Sequence, residues 1–149
     1  MHIFVFSSSN LTNTWAGIGA RRWAVSRRQG NNPSIRSKAS KLPIGGLGLF
    51  YCVETKSFTT PFLIRTKPQA DVVVEDVWPE PWALPFGILP LGSPERRMKK
   101  HELAERLPSL SDGGRHWTQL LHVEPPTVFA PSQISEEDWA VLVSELAVE

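Results

Sequence analysis

Cysteines, apolar runs of membrane length and, in the first half of the chain, acidic residues are what this sequence has least of. Its 149 residues include one cysteine, Cys52, which excludes an internal disulfide and any metal site built from several cysteines. No apolar run approaches the roughly 20 residues that a membrane-spanning helix needs. Residues 3–6 are too short for the core of a signal peptide. We therefore expect a soluble, cytoplasmic protein that does not contact a membrane.

Signatures of catalysis and of nucleotide phosphate binding are also missing. The histidines do not fall at the H-E-x-x-H or H-x-x-x-H spacing of zinc sites. The serines at 7–9 lack the G-x-S-x-G pattern of a hydrolase nucleophile. Gly45, Gly46 and Gly48 are not followed by the Lys-Ser/Thr of a phosphate-binding loop. We expect a binding protein and not an enzyme, with no metal and no cofactor.

The scarcity of acids makes the first half of the chain strongly basic. Residues 1–70 hold ten Lys or Arg and a single acid, Glu54, whereas residues 71–149 hold six basic and fourteen acidic residues. A basic half of this kind is the electrostatic footprint of a protein that binds a phosphate backbone. The alternative is a basic face that merely pairs with the acidic half. The candidate phosphate-binding residues are Arg21, Arg22, Arg27, Arg28, Arg36 and Lys38.

Two tryptophans mark a stiff corner in the middle of the chain. Residues 71–92 predict two strands, 72–77 and 83–89, and the corner between them holds Trp78 and Trp82 four residues apart. Pro79 and Pro81 push the residues before them into extended conformations, so the corner is rigid. A rigid aromatic wall is suited to stacking bases or enclosing methylated groups. Packing of both indoles in the core is the alternative.

Short strands fill the middle of the chain and short helices flank them. Beside the two strands of the corner, β-branched and aromatic runs predict extended segments at 2–6, 23–25, 47–53 and 58–66. Helices are predicted at 11–18, 99–107, 113–121 and, capped by Ser135 and Asp138, at the apolar stripe 139–146. Residues 27–41 predict a long exposed loop. The fold class is therefore α+β, with one domain over residues 1–149: a curled, mostly antiparallel sheet or open β-barrel flanked by short helices.

Three short motifs occur in a fixed order along the chain. They are F-x-F-S-S-S-N-L-T-N at 4–13 with Trp23-Ala24 after it, L-F-Y-C-V-E-T-K-S-F at 49–58, and V-W-P-E-P-W-A-L-P-F-G-I at 77–88. Together they resemble the YTH and EVE domains of the PUA-like superfamily, and the late I-S-E-E-D-W helix resembles EVE domains more closely. Two positions depart from the family pattern. Ala24 stands where a serine or cysteine is common, and Gly46 stands where EVE domains usually carry an acid.

The resemblance implies a pocket for a methylated base. A modified nucleotide would be flipped out of its stack, its base would lie between Trp23 and Trp78, and Trp82 would close the pocket. The amides of Asn10 and Asn13 would read the edge of the base, since an amide both donates and accepts hydrogen bonds. The residues carried over from the family pattern are Ser9, Asn10, Asn13, Trp23, Ala24 and Trp78, with Trp82 as the third wall.

The resemblance also implies the partner. We expect modified DNA, with the chain acting as the specificity domain of a modification-dependent (type IV) restriction system beside a fused or associated nuclease or NTPase. A reader of methylated RNA of the N6-methyladenosine type is the alternative. A module that binds a peptide or a methylated lysine is a third possibility.

Overall fold

The computed structural model describes residues 2–111, 116–121, 123 and 127–147. Its strands are β1 (Ile3–Ser8), β2 (Arg22–Ser26), β3 (Leu47–Cys52), β4 (Ser57–Ile64), β5 (Val73–Val74), β6 (Trp82–Pro90) and β7 (Arg97–Lys99). Its helices are α1 (Leu11–Ala20), α2 (Arg27–Gly30), α3 (Pro33–Ser40), α4 (Lys100–Arg106), α5 (Pro108–Ser111), α6 (Trp117–Leu121) and α7 (Glu136–Leu146). Within this described part, no helix has both the length and the apolar composition needed to cross a membrane.

The strands form one curled sheet, which confirms the predicted α+β class. The main path is β1-β3-β4-β6-β2, with β5 paired to β6 and β7 paired to β4. Only β1 and β3 run parallel, because the chain between them crosses over through α1, β2, α2 and α3. All other pairs are antiparallel. The mostly antiparallel sheet of the prediction is therefore confirmed.

Aromatic side chains fill the concave face of the sheet. Phe6 on β1 lies 5.2 Å from Phe86 on β6 by ring centroid, although two strands separate β1 from β6 in the path. Phe50 lies 4.7 Å from Phe62 and 4.6 Å from Trp23. Such contacts across the concave face require the sheet to curl into a half-barrel. The curl brings the two end strands, β1 and β2, towards each other.

The convex face is covered by the C-terminal helices. Leu103, Leu142 and Leu146 are buried there, in a second apolar cluster that includes residues of β1 and β3. The predicted cap of α7 is confirmed, since Ser135 Oγ accepts from Asp138 N at 3.1 Å and Asp138 Oδ2 accepts from Ser135 N at 2.9 Å. The other carboxylate oxygen of Asp138 accepts from Ser109 N at 3.0 Å, which explains how a buried acid is tolerated. Of the helix predicted at 113–121, residues 117–121 are helical, and 113–115 lie outside the described residues.

The prediction of a loop over residues 27–41 is wrong. The segment folds into α2 and α3, because both begin with strong start signals. Ser26 and Gln29 form a capping box, and Asn32 Oδ1 accepts from Ser34 N and Ile35 N ahead of a proline at the first helical position. Ile35 and Ala39, four residues apart, then bury one face of α3.

The strand predicted at 72–77 is also too long. Only Val73 and Val74 pair with β6, and the chain leaves the sheet directly afterwards. Pro79 and Pro81 have no N–H to offer a neighbouring strand. The Trp78 side chain turns inward and donates from Nε1 to the carbonyl of Asn13 at 3.0 Å, which holds the corner against α1.

Candidate functional site

A cavity of about 270 Å³ opens between the two end strands of the sheet. We call it the seam cavity. Its polar lining consists of Ser7, Ser8, Ser9, Ser26 and Gln29. Its apolar lining consists of Val5, Phe6, Trp23, Ala24, Val25, Val53, Trp82, Val123 and Val128. None of the described residues in this lining has a charged side chain.

The seam exists because β1 and β2 are not paired with each other. The N-terminal part of the β1 edge is covered by the chain near Pro131. Phe4 forms a β-bridge with Pro131, and the carbonyl of Ile3 accepts a hydrogen bond from Ser132 N at 2.8 Å. From Val5 onwards the same edge faces the cavity. The edge of a sheet carries backbone donors and acceptors that a planar ligand can use. The cavity therefore combines an aromatic wall with a polar backbone edge.

Three indoles form one cluster at the side of the cavity. Trp78 and Trp82 are stacked, with ring centroids 4.4 Å apart and planes 16° apart. Trp23 meets both of them edge to face, at 5.5 Å and 5.3 Å. Trp82 is half-buried and lines the cavity, whereas Trp23 is 2% exposed and Trp78 is 3% exposed.

The predicted slot between Trp23 and Trp78 is absent. Their rings are in edge-to-face contact, so no base fits between them, and the indole of Trp82 occupies the face of Trp78. The physical reason is burial: apolar rings brought together in the core close the gap that a cage would need. Trp23 and Trp82 contact the cavity, and Trp78 supports Trp82 from outside its lining.

Of the predicted polar residues, Ser9 lines the seam cavity and the two asparagines do not. Asn10 is the N-cap of α1, and its Oδ1 accepts from Asn13 N at 2.7 Å. The carbonyl of Asn13 accepts from Trp78, as described above. Ala24 also lines the cavity, at the position where the family pattern usually has a serine or cysteine.

Sequence reasoning missed four polar residues of the cavity, Ser7, Ser8, Ser26 and Gln29. Gln29 Oε1 lies 3.3 Å from both the backbone nitrogen and the hydroxyl of Ser26, as part of the capping box that begins α2. The S-x-x-Q spacing after an apolar strand is the signal that could have identified this helix start. The capping box fixes both side chains beside the cavity.

The predicted phosphate-binding residues fall into separate groups. Arg27 and Arg28 are exposed on α2, next to the cavity-lining Ser26 and Gln29. Arg21 and Arg22 lie at the other end of β2. Arg36 contacts the acidic half through Asp71 at 3.8 Å, and its guanidinium also donates to two backbone carbonyls. Lys38 lies on α3, half-buried.

Among the described residues, the basic half of the chain (1–70) is not joined to the acidic half (71–149) by an array of ion pairs. Within the described residues, Arg36–Asp71 is the one salt bridge that joins the basic half to the acidic half, and the Asp71 side chain is almost fully exposed. No described residue forms a salt bridge with Arg21, Arg22, Arg27 or Arg28. Pairing with the described acidic residues therefore does not explain these four arginines.

The fold is that of YTH domains in solved structures. The Mmi1 YTH domain, solved in complex with RNA, superposes with a TM-score of 0.58 at 11% identity, over 97% of this chain and 77% of that one. The YTH domain of Zygosaccharomyces rouxii MRB1, in complex with N6-methyladenosine RNA, superposes with a TM-score of 0.53 at 16% identity, over 77% of this chain and 76% of that one. The Toxoplasma CPSF4 YTH domain, in complex with a 7-mer m6A-modified RNA, superposes with a TM-score of 0.53 at 18% identity, over 77% of this chain and 78% of that one.

The sequence matches no protein-family model and no curated protein. The resemblance to YTH domains is therefore confirmed by the fold of the chain and not by sequence similarity. The closer resemblance of the C-terminal part to EVE domains stays a prediction.

Proposed function

We propose that this protein is a reader of modified nucleic acid that takes one flipped, methylated base into the seam cavity. The observation that carries the proposal is an uncharged cavity with two indoles in its wall, beside a helix that exposes Arg27 and Arg28. The aromatic wall supplies stacking and the arginines supply affinity for phosphates. It is supported by the solved YTH domains of the same fold, which were crystallised with N6-methyladenosine RNA.

The dimensions of the cavity suit a single base. Its volume of about 270 Å³ lies at the lower limit of the roughly 300–1,000 Å³ of small-molecule sites. The described residues of the lining carry no charge, which favours a neutral ligand, since an uncompensated charge would be desolvated there. A methyl group buried against Trp23 or Trp82 would contribute about 0.8 kcal/mol by area. Hydroxyls and the Gln29 amide are the polar side-chain groups of the described lining, and such groups distinguish one base edge from another through donors and acceptors.

RNA is our first candidate for the nucleic acid, because the solved YTH domains of this fold carry methylated RNA. On this proposal the cavity takes only the base and the sugar stays outside, so a modified DNA base would suit the same chemistry. Modified DNA, read as part of a restriction system with a nuclease or NTPase partner, is therefore the second candidate. A methylated lysine is disfavoured, since Arg27 and Arg28 beside the cavity would repel a cation.

The test is a panel of oligonucleotides of one sequence, prepared as RNA and as DNA. Each carries no modification, N6-methyladenine, 5-methylcytosine or 5-hydroxymethylcytosine at its centre, and binding is measured by fluorescence anisotropy at fixed salt. We expect one modified RNA to bind at least tenfold more tightly than its unmodified counterpart. Preference for a modified DNA would select the second candidate. Equal affinity across the whole panel would remove the reader function.

A further inference from the structure

A second cavity lies at the opposite end of β2, and we propose that it binds a backbone phosphate of the strand whose modified base occupies the seam cavity. This inference rests on the proposed function. We call the second cavity the basic cavity. Its volume is about 420 Å³, and its lining includes Arg21, Arg22, Thr66, Lys67, Gln69 and Gly87. No acidic residue takes part in the lining.

The charge in the basic cavity is available to a ligand. Within the described part of the chain, no salt bridge involves Arg21, Arg22 or Lys67. The ammonium group of Lys67 donates one hydrogen bond, to the carbonyl of Ser40 at 3.2 Å, and an ammonium group has three protons to donate. Arg21, Arg22 and Lys67 therefore line a space to which no described acidic residue contributes. Such a space attracts an anion, and guanidinium groups suit phosphate oxygens by their fork geometry.

The backbone around the basic cavity is fixed, so the side chains start from defined positions. Arg21 is the C-cap of α1, with its N–H donating to the carbonyls of Gly17 and Ile18 and its own carbonyl accepting from Ile88 N at 3.0 Å. Gly87 N donates to Thr66 Oγ1 at 2.7 Å. These main-chain groups already have partners. A ligand in this cavity is therefore met by the basic side chains and not by free backbone donors.

The position of the basic cavity favours a polymer over a free anion. Arg22 begins β2 and Ser26, in the seam cavity, ends it, so the two sites lie about 13 Å apart at 3.3 Å per residue of strand. Arg27 and Arg28 follow directly after Ser26. A nucleic acid strand that places one base in the seam cavity can reach both basic groups with its flanking phosphates. Binding at linked sites then gains from effective concentration, which a free phosphate ion does not.

The experiment compares a variant that lacks two positive charges of the basic cavity with a control variant that lacks two positive charges elsewhere. The variant is Arg21→Asn with Lys67→Gln, and asparagine is chosen because residue 21 has a φ of 54°, which asparagine tolerates. The control is Arg97→Gln with Lys99→Gln on β7, where both side chains are exposed. Each protein is titrated with the modified nucleoside and with a 9-mer carrying the modified base at its centre, at several salt concentrations.

We expect the variant to bind the 9-mer about tenfold more weakly than the control does, with unchanged affinity for the nucleoside. Its salt slope should be smaller by about 0.7, the value for one lost phosphate contact on a single strand. Equal 9-mer affinities and equal slopes in the variant and the control would overturn the inference. The inference would also be overturned if inorganic phosphate bound to the basic cavity while the variant left 9-mer binding unchanged. That result would assign the cavity to a free anion.

Failure of this inference is distinguishable from failure of the proposed function. If the wild-type protein binds modified and unmodified 9-mers equally, the reader function fails while the salt slopes still report on the phosphate site. If discrimination is intact and the variant matches its control, only the phosphate site fails.

Discussion

The indole of Trp82 lies face to face with the indole of Trp78, at 4.4 Å between ring centroids and 16° between planes. This is the geometry in which a nucleobase stacks on an aromatic side chain. The protein's own side chain thus covers the face of Trp78 that the family resemblance assigned to a base. Trp82 belongs both to this stack and to the lining of the seam cavity. Of the two indoles in the lining, Trp82 is the more exposed, so on the proposed function it is the one that a base would contact most.

Replacing Trp82 should weaken ligand binding more than it weakens the fold. We expect Trp82→Ala to reduce affinity for a modified oligonucleotide by about 5–150-fold, which corresponds to the 1–3 kcal/mol of a base–aromatic stack. Trp15→Ala is the matched control, because Trp15 is 43% exposed on α1 and does not line the cavity. Anisotropy titrations of both variants test this, and equal losses would show that Trp82 makes no specific contact with the ligand.

Replacing Trp23 should weaken the fold more than it weakens ligand binding. Its ring contacts Phe50, Trp78 and Trp82 and is 2% exposed. We expect Trp23→Ala to lower the free energy of unfolding by about 3–5 kcal/mol. Urea denaturation measures this, with Trp23→Phe as the milder comparison because it keeps an aromatic ring in the core. A loss below 1 kcal/mol for Trp23→Ala would contradict the burial of the indole.

A substitution in α1 should change the position of the Trp23 indole in the wall of the seam cavity, because Gly17 packs against this indole. A Cβ at residue 17 would lie 2.6 Å from Cε3 of Trp23, so Gly17→Ala should displace the indole, cost about 1–3 kcal/mol of stability and weaken ligand binding. Gly19→Ala is the matched control on the same helix, since a Cβ there meets nothing within 4 Å. We expect this control to gain up to about 1 kcal/mol from helix propensity. Thermal unfolding and titration of the pair separate the two effects.

A negative charge placed in the seam cavity should impair binding. Gln29→Glu keeps an acceptor for the capping box with Ser26 but adds a carboxylate to an uncharged lining. We expect at least a tenfold loss of affinity for the modified oligonucleotide, because the carboxylate repels phosphates and must be desolvated beside the base. Gln133→Glu, exposed and outside the lining, makes the same change in net charge. If both variants lose affinity equally, net charge and not the cavity accounts for the effect.

Stability at high pH should depend on Tyr51, the only tyrosine of the chain. Burial raises the pKa of Tyr51 above its usual value near 10, and the charge of Cys52 raises it further. The folded protein then holds the phenolic proton to higher pH than the unfolded chain does. The free energy of unfolding therefore falls as the pH rises past the unfolded pKa, and the ionisation of Tyr51 does not affect it at neutral pH. Urea denaturation from pH 8 to pH 11 should show a smaller fall for Tyr51→Phe, and identical curves would contradict the prediction.

Much of the fold could be predicted because its signals are local. The strands around Phe50 and Phe86 follow from short apolar runs, and α7 follows from Ser135, Asp138 and the stripe behind them. The segment 27–41 was mispredicted because its composition is polar, although Asn32 and Pro33 form a helix start. Composition describes the average exposure of a segment, whereas caps determine where a helix begins.

The site could be predicted only in part, because it depends on distances between strands. Ser9, Trp23, Ala24 and Trp82 lie at the seam cavity, as expected from their places beside β1, β2 and β6. Which indole faces the cavity depends on how the rings pack, and nothing in the spacing of Trp78 and Trp82 indicates that they stack on each other. Asn10 was assigned to a base edge, while its position before α1 makes it a helix cap. The cap uses the amide oxygen of Asn10, and a contact of this residue with a base edge stays a prediction.

The order of the strands has a consequence for how the site forms during folding. β1 and β2 are the outermost strands of the five-strand path, so β3, β4 and β6 must all be in register before the two can face each other. The pairings of β1 with β3 and of β2 with β6 join residues far apart in the chain, and such nonlocal pairings form slowly. A nascent or partly unfolded chain consequently has no binding site, and ligand affinity reports completion of the entire sheet. Ligand should correspondingly stabilise the protein against global unfolding, and not only the residues that it contacts.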